Sequence, residues 1–386
     1  MGMELLINEP RIESDELFSR MISTIECNNQ KYDLFYQVDK KYQNYFSNEV
    51  SDSFLVCVLL YCMEHNFNIV CKGKISEILL YHLNDYLIPA ISKNIKKYKR
   101  ISIKAETTNI EYNAKGVGTG LSCGVDSFYT IIKHNKCTKE SGLRVTHATF
   151  FNAGASGEFG GDEARNIFNE RKKIFKKAAE EMGIEFVTVD SNMNEFLKQN
   201  HQATHTFRTL SVPLALQKLF GKYYFSSGTI YSTFKFDVHD TAYYDILSTA
   251  LLTTENIKFE SIGGESTRLE KLNLISNENI VKKYLNVCVP EVTNCSKCHK
   301  CVRTILELYS LNKLDMFKNV FDVEYFYKNK NKYLVKCVLY NDNDDVKEVY
   351  KLLKKQKRIN ILHIIVGNFL KATSFFKKCL RKVLKR

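Results

Sequence analysis

The sequence predicts an α/β protein: a parallel, doubly wound sheet, preceded by an N-terminal α/β domain and followed by a C-terminal basic helical tail. Three observations predict it. Residues 113–310 alternate short strand-like runs with amphipathic helical stretches, the pattern of a parallel sheet covered by helices. The 386 residues are 44% hydrophobic and 26% charged, which supports a buried core and excludes disorder of the whole chain. With 17 glycines and 4 prolines, a collagen-like fibre is excluded as well.

The elements follow in order. Residues 1–112 read as a separate α/β unit of unknown role. It has strands at 31–38, 67–71 and 101–105 and a buried helix at 52–65 opened by a Ser or Asp cap. A helical stretch at 75–95 is bent at Pro89, which cannot donate to the ladder. Residues 116–121 form a glycine-rich strand, 126–136 a helix, 144–151 a strand and 162–182 a long charged helix. Further strands fall at 185–189 and 222–226, on either side of a helix at 206–220. Residues 311–346 read as a mixed connector and 347–386 as a basic amphipathic helix, with Gly367 and Asn368 as its expected break.

The charge is uneven. The chain has 56 Lys and Arg against 43 Asp and Glu, a net +13. Residues 347–386 hold 13 of those bases and one acid, Glu348, so the tail carries +12 and the body is near neutral. A uniformly basic nucleic-acid binder is thereby excluded. The tail sets Ile361, Ile364, Ile365, Phe369, Phe375, Phe376, Leu380 and Leu384 among Lys371, Lys377, Lys378, Arg381 and Lys382. Such a helix fits an anionic membrane surface, a nucleic acid or the protein's own body. The longest apolar run, 54–63, ends at Glu64 and is too short to span a bilayer, which takes ~20 residues. The first residues carry neither a basic leader nor a myristoylation pattern. The expected location is cytoplasmic, with the tail allowing peripheral membrane contact.

Two motifs carry chemistry. Ser122-Cys123-Gly124-Val125-Asp126-Ser127 follows a strand and opens a helix, where backbone N–H groups and the helix dipole favour phosphate oxygens. Ser122 and Ser127 add hydroxyl donors, and Asp126 is placed to hold Mg²⁺ or to cap the helix. The segment is neither a Walker loop nor a G-x-G-x-x-G turn. Cys288, Cys295, Cys298 and Cys301 form C-x6-C-x2-C-x2-C, the spacing of a closed tetrahedral Zn²⁺ site. An iron–sulfur cluster is the alternative, although the C-x3-C-P continuation is missing. Lys297, Lys300 and Arg303 offset the thiolate charge, and His299 is a substitute ligand.

The first motif resembles the PP-loop, S-G-G-x-D-S, of the ATP pyrophosphatase family, with Cys123 where that pattern has glycine. Together with the cysteine cluster, it resembles the relatives of 7-cyano-7-deazaguanine synthase over about residues 117–308. In that family a Thr-Lys pair precedes a helix, and Thr267-Arg268 resembles it with Arg268 at the lysine position. The resemblance implies an adenine nucleotide α-hydrolase-like fold in a domain spanning 113–310. It implies ATP and Mg²⁺ as cofactors, a structural zinc, and adenylation of a small-molecule substrate with release of AMP and pyrophosphate. The chemistry would be ligation, amidation or nitrile formation on a substrate of this chain's own. Asp126 and Arg268 would be catalytic, and Ser122 to Ser127 with Asn152 and Gly154 would hold the nucleotide.

Other polar residues lie at expected strand ends. Ser226 to Thr229 could reach a substrate, His239 between Asp237 and Asp240 could act as a general base, and His201, His205 and Arg208 could meet an anion. Two other functions stay open. One is thiolation of transfer RNA or a small molecule through Cys123. The other is a non-catalytic nucleotide-binding component of a defence or polysaccharide system, working with a partner protein or as a homo-oligomer.

Overall fold

Two asparagines set the long hairpin of residues 18–39. β1 (Glu4–Ile7) and β2 (Arg11–Ser14) precede β3 (Phe18–Cys27) and β4 (Gln30–Asp39), which pair antiparallel from Phe18–Asp39 to Cys27–Gln30. Asn28 and Asn29 join them with φ of +51° and +60°, the left-handed pair that a two-residue hairpin needs and that Asn tolerates. The computed structural model describes residues 3–138 and 140–383, and the side chains of all these except 344, 345 and 374–383.

The chain continues through α1 (Asp52–His65), β5 (Asn68–Cys71), β6 (Ile75–Ser76), α2 (Glu77–His82), α3 (Ile88–Asn94), β7 (Ile103–Lys104) and β8 (Thr107–Thr108). The helix expected over 75–95 is thus a short strand and two helices. Residues 83–87 between the helices form a π-turn, with the Ile88 N–H donating to the Leu83 carbonyl. Pro89 explains the widening, because its ring crowds the carbonyl four residues back and it has no N–H. Next come β9 (Gly116–Gly120), α4 (Val125–Asn135), β10 (His147–Phe151), α5 (Gly161–Glu181) and β11 (Glu185–Ser191). α6 (Met193–Leu197), α7 (His205–Leu214), β12 (Phe220–Ser226), α8 (Asp245–Leu251) and β13 (Lys258–Ile262) follow.

The protein is α/β with a mostly parallel central sheet. The strand order is β13-β12-β9-β10-β11-β4-β3-β1-β5-β7, with β2 on β3. β9 to β13 are parallel to their neighbours within that group, and chain order reverses at β9. β4 joins β11 antiparallel, pairing Gln37 with Asp190 and Tyr36 with Ser191.

The division expected at residue 112 is therefore not the structure's division. The chain forms two compact units, Met1–Ser122 with Thr130–Glu265, and Cys123–Tyr129 with Ser266–Arg386. The physical reason lies in the core. α1 is apolar on nearly all sides and its residues from Asp52 to Leu60 are buried, so it needs covering all round. Tyr36 donates to the Ser53 carbonyl and meets Ser211 Oγ at 3.0 Å, which ties β4, α1 and α7 together. Each fully buried Leu or Phe of this layer contributes about 1.5–3 kcal/mol.

In the second unit, α9 (Arg268–Ile275), α10 (Asn279–Tyr284) and α11 (His299–Ser310) precede α12 (Val323–Lys328), α13 (Lys330–Leu339), α14 (Asp344–Lys355) and α15 (Ile361–Val383). The expected connector is thus largely helical. The tail breaks before α15, not at Gly367. Lys357 takes φ +60°, and Asn360 and His363 exchange backbone-to-side-chain hydrogen bonds of 3.1 Å that start the next helix. Gly367 instead lets α15 approach α13, since a Cβ there would meet Val338 side-chain atoms at 2.6 Å. Leu384 lies outside the described residues, as do the side chains of Phe375, Phe376, Leu380, Lys377, Lys378, Arg381 and Lys382.

Asp52 does not cap α1. It is buried and accepts from the Ser76 N–H and hydroxyl and from Gln217 Nε2 at 2.5–2.9 Å. Burial outweighs these donors and raises its pKa to about 6. Between about pH 4 and 6 the unfolded carboxyl ionises first, so the folded state binds more protons and stability falls as pH rises. The total fall is about 3 kcal/mol at most. Urea unfolding at several pH values should show this slope in the parent protein and a flatter one in Asp52→Asn. Equal slopes would remove Asp52 as its source.

Candidate functional site

The turn at 123–127 belongs to the second unit. Cys123 has φ +54°, the left-handed region that favours glycine, and its carbonyl accepts from the Asn286 N–H at 2.8 Å. Its side chain is fully buried, and burial pushes its thiol well up. α4 begins at Val125; the Gly124 carbonyl accepts from the Phe128 N–H and from Ser127 Oγ, both at 3.1 Å. In any α-helix the first-turn N–H groups have no partner within the helix, so such an end attracts negative charge.

Asp126 is the centre of a charge network on this turn. Lys271 Nζ lies 2.9 Å from its Oδ1 and an Arg268 guanidinium nitrogen 3.5 Å from its Oδ2. Arg268 also reaches Glu307 at 3.2 Å and Thr304 Oγ1 at 3.2 Å, and Arg303 stands 3.7 Å from the same Glu307 oxygen. Glu307 is fully buried and Lys271 nearly so. Burial works to raise the Asp126 carboxyl, but Lys271, Arg268 and Arg303 outweigh it and hold it below the usual carboxylate range. The Lys300 ammonium is pushed down by desolvation, then by Arg303 and Arg268. Four cations thus share this region with two carboxylates, and the thiolates of the cysteine cage draw on the charge of Lys300 as well.

Local sequence explains the placement. Thr267 and Glu270 form a reciprocal capping box, Glu270 N–H to Thr267 Oγ1 at 3.3 Å and Thr267 N–H to Glu270 Oε2 at 2.8 Å. That box fixes the start of α9, with Arg268 in its first turn and Lys271 one turn after Thr267. On α11, Arg303 and Glu307 are four residues apart and share a face. Lys271 and Glu307 are absent from the site expected by resemblance. The capping-box pattern was a signal for the first; the second had none beyond its spacing to Arg303.

The four cysteines converge within the same unit. Their sulfurs all lie within 4.8 Å of one another, with Cys288 to Cys298 at 3.9 Å and Cys295 to Cys301 at 4.0 Å. A disulfide needs ~2.05 Å, whereas four sulfurs at ~2.3 Å from a tetrahedral ion stand ~3.8 Å apart. The donor set therefore fits a metal ion. Ser296 has φ +59°, which folds the turn so that Lys297 and Cys298 N–H groups reach the Cys295 sulfur at 3.5 and 3.3 Å. Burial would raise the Cys295 thiol, but these donors bring it to about 7. Asn294 and Asn286 brace the loop: Asn294 receives the Val287 N–H and donates to the Leu285 and Val320 carbonyls, and Asn286 donates to Val292. His299 is exposed and stacks edge-on with Tyr340.

The remaining expected residues belong to the first unit. Ser122 is exposed and follows β9, the strand at which sheet order reverses. Asn152 donates to Asp190 at 2.7 Å, and Gly154 has φ +109° with His201 and Arg208 close by. Arg208 is buried and bound to Asn194 Oδ1 and the Gln199 carbonyl. His239 is exposed, and the imidazole that faces Asp240 is that of His205, at 3.1 Å. Asp240 also caps the next short helix by accepting from Ala242 N–H. Ser226 bonds Thr130 and Thr229 bonds the Ala242 carbonyl, so both are engaged in the fold.

No protein-family model, no curated protein and no solved structure matches this chain. Among the described residues, no helix is long and apolar enough to cross a membrane.

The cysteine cluster gives a direct test. Elemental analysis should find one metal ion per chain, lost in Cys298→Ala. A strong chelator should lower the melting temperature by about 5 °C or more, because the ion binds only the folded loop. A metal-free chain whose melting is unchanged by chelator would remove the cluster as a metal site.

Proposed function

We propose that the protein is an ATP-dependent enzyme of the PP-loop pyrophosphatase type. It adenylates a small-molecule substrate and releases AMP and pyrophosphate, in the manner of 7-cyano-7-deazaguanine synthase relatives but on a different substrate. One observation carries the reading: a helix-opening turn whose Asp126 is held by Lys271 and Arg268, with Lys300 and Arg303 alongside. A polyphosphate has the charge that such a cluster of cations attracts. The left-handed Cys123 supports it further, since its backbone is the one glycine adopts and glycine is what the PP-loop pattern has there. The reversal of strand order at β9 supports a doubly wound sheet, in which ligands gather where the order reverses.

Within that reading the chain's own groups do three things. The turn's amides and the cations hold the transferred phosphate and offset charge as pyrophosphate leaves. Asp126 positions Lys271 and Arg268. A single carboxylate already paired with two cations does not fit a Mg²⁺ site of its own. The cysteine cage fits zinc best, because each thiolate of a cluster binds through a larger iron framework, while these sulfurs crowd around one point. Four protein ligands leave no open position, so the metal's role is structural. The buried, neutral Cys123 thiol lacks the thiolate character that a thiolation route requires.

Calorimetry on the metal-replete full chain should detect ATP binding, and Lys300→Ala should weaken it about tenfold. With a competent substrate, labelled ATP should give AMP and pyrophosphate, and Cys123→Gly should retain activity within a few-fold. ADP and phosphate without AMP would reject adenylation. ATP binding without turnover across carboxylate and amide substrates would favour a non-catalytic nucleotide-binding component.

A further inference from the structure

α15 shows its apolar side outward. In its first three turns, Ile361, Leu362, Ile365, Val366, Phe369 and Leu370 are exposed, from 41% for Leu370 to 72% for Ile361. His363, Gly367 and Lys371, spaced by four, form the opposite stripe and face the body. His363 is buried with Nε2 3.1 Å from Asn331, Gly367 abuts Val338, and Lys371 bonds Asn341 at 3.0 Å. A surface helix normally buries the apolar stripe and exposes the polar one. Here the arrangement is reversed, and single scattered apolar residues do not account for six on adjacent turns.

We infer that this helix docks the protein on an anionic lipid surface, lying in the interface with its apolar stripe among the acyl chains. Charge selects the occupant. The sequence from 347 to 386 has 13 bases against one acid, and Lys351, Lys354, Lys355 and Lys357 are exposed just ahead of α15. Beyond Thr373 the sequence sets Phe376 and Leu380 seven and eleven residues after Phe369, and Lys377, Lys378, Arg381 and Lys382 beside them. An apolar stripe flanked by bases matches acyl chains bordered by anionic headgroups. A nucleic acid would use the bases and leave the stripe wet, and a second copy of so basic a segment would meet like charge. The helix lies on the membrane and does not span it.

The test is co-sedimentation of the full chain with phosphatidylcholine vesicles, with and without phosphatidylserine, alongside Ile365→Glu/Phe369→Glu. Both positions are exposed, so the variant should keep the parent circular dichroism and melting. Binding should require phosphatidylserine, weaken as salt rises, and drop at least tenfold in the variant. Sedimentation independent of the two substitutions, or absent from phosphatidylserine vesicles, would overturn the inference. So would a lipid-free dimer that the variant dissociates, or RNA binding that the variant leaves intact. None of these readouts depends on ATP, so this inference and the enzymatic proposal stand or fall separately.

Discussion

Asp126 is the constraint on which the second unit turns. Its two oxygens engage Lys271 and Arg268, and Arg268 passes the contact on to Glu307, a carboxylate with no solvent exposure. Taking such groups out of water costs several kcal/mol per ion, and only close partners offset it. Losing one partner from a buried pair typically costs about 3–5 kcal/mol, because the other charge is left stranded. The network therefore fixes three elements at once: the start of α4, the first turn of α9 and the middle of α11. The groups that secure the fold include the cations that would attract an anion.

The cysteine cage works on the same helix from its other side. α11 begins at His299, between Cys298 and Cys301, and carries Arg303 and Glu307 one and two turns on. A metal bound by the four sulfurs would order the loop at 288–298 and with it the start of the helix that presents those charges. The two motifs singled out in the sequence are thus mechanically joined through one helix. Neither motif alone shows this, because it depends on the phase of α11 and not on residue type.

Sequence reading located α1, α4 and α5 and the strands β4, β5 and β9 to β12 to within a few residues, since a long apolar run marks α1 and an apolar face or short apolar run marks the others. It missed β1 to β3, β6, β8 and β13, which are short or weakly alternating, and it named no helix at α6, α8 or α10 to α13. It misplaced the domain boundary because pairing of β4 with β11 is a long-range fact that no local pattern carries. In the site, the convergence of the four cysteines was legible from spacing, and so was the turn at 122–127. Lys271 was signalled only by the capping box it follows, and Glu307 only by its spacing to Arg303, because the importance of both comes from what they face across the fold. His239 was favoured for its acidic neighbours in sequence, yet three-dimensional proximity gives Asp240 to His205. Gly367 read as a helix breaker because local propensity cannot register a close crossing by another helix.

The excursion of residues 123–129 out of the first unit has a consequence for synthesis. Asp126 and Lys271 are separated by 145 residues. At a ribosomal pace of ~5–20 residues per second, the carboxylate waits roughly 7–30 s for its lysine. During that interval the opening turn of α4 emerges without the helices that will enclose it. The nascent chain must keep seven residues in reserve while everything from Thr130 to Glu265 is being made, so vectorial folding of this protein cannot finish in the order in which it is read.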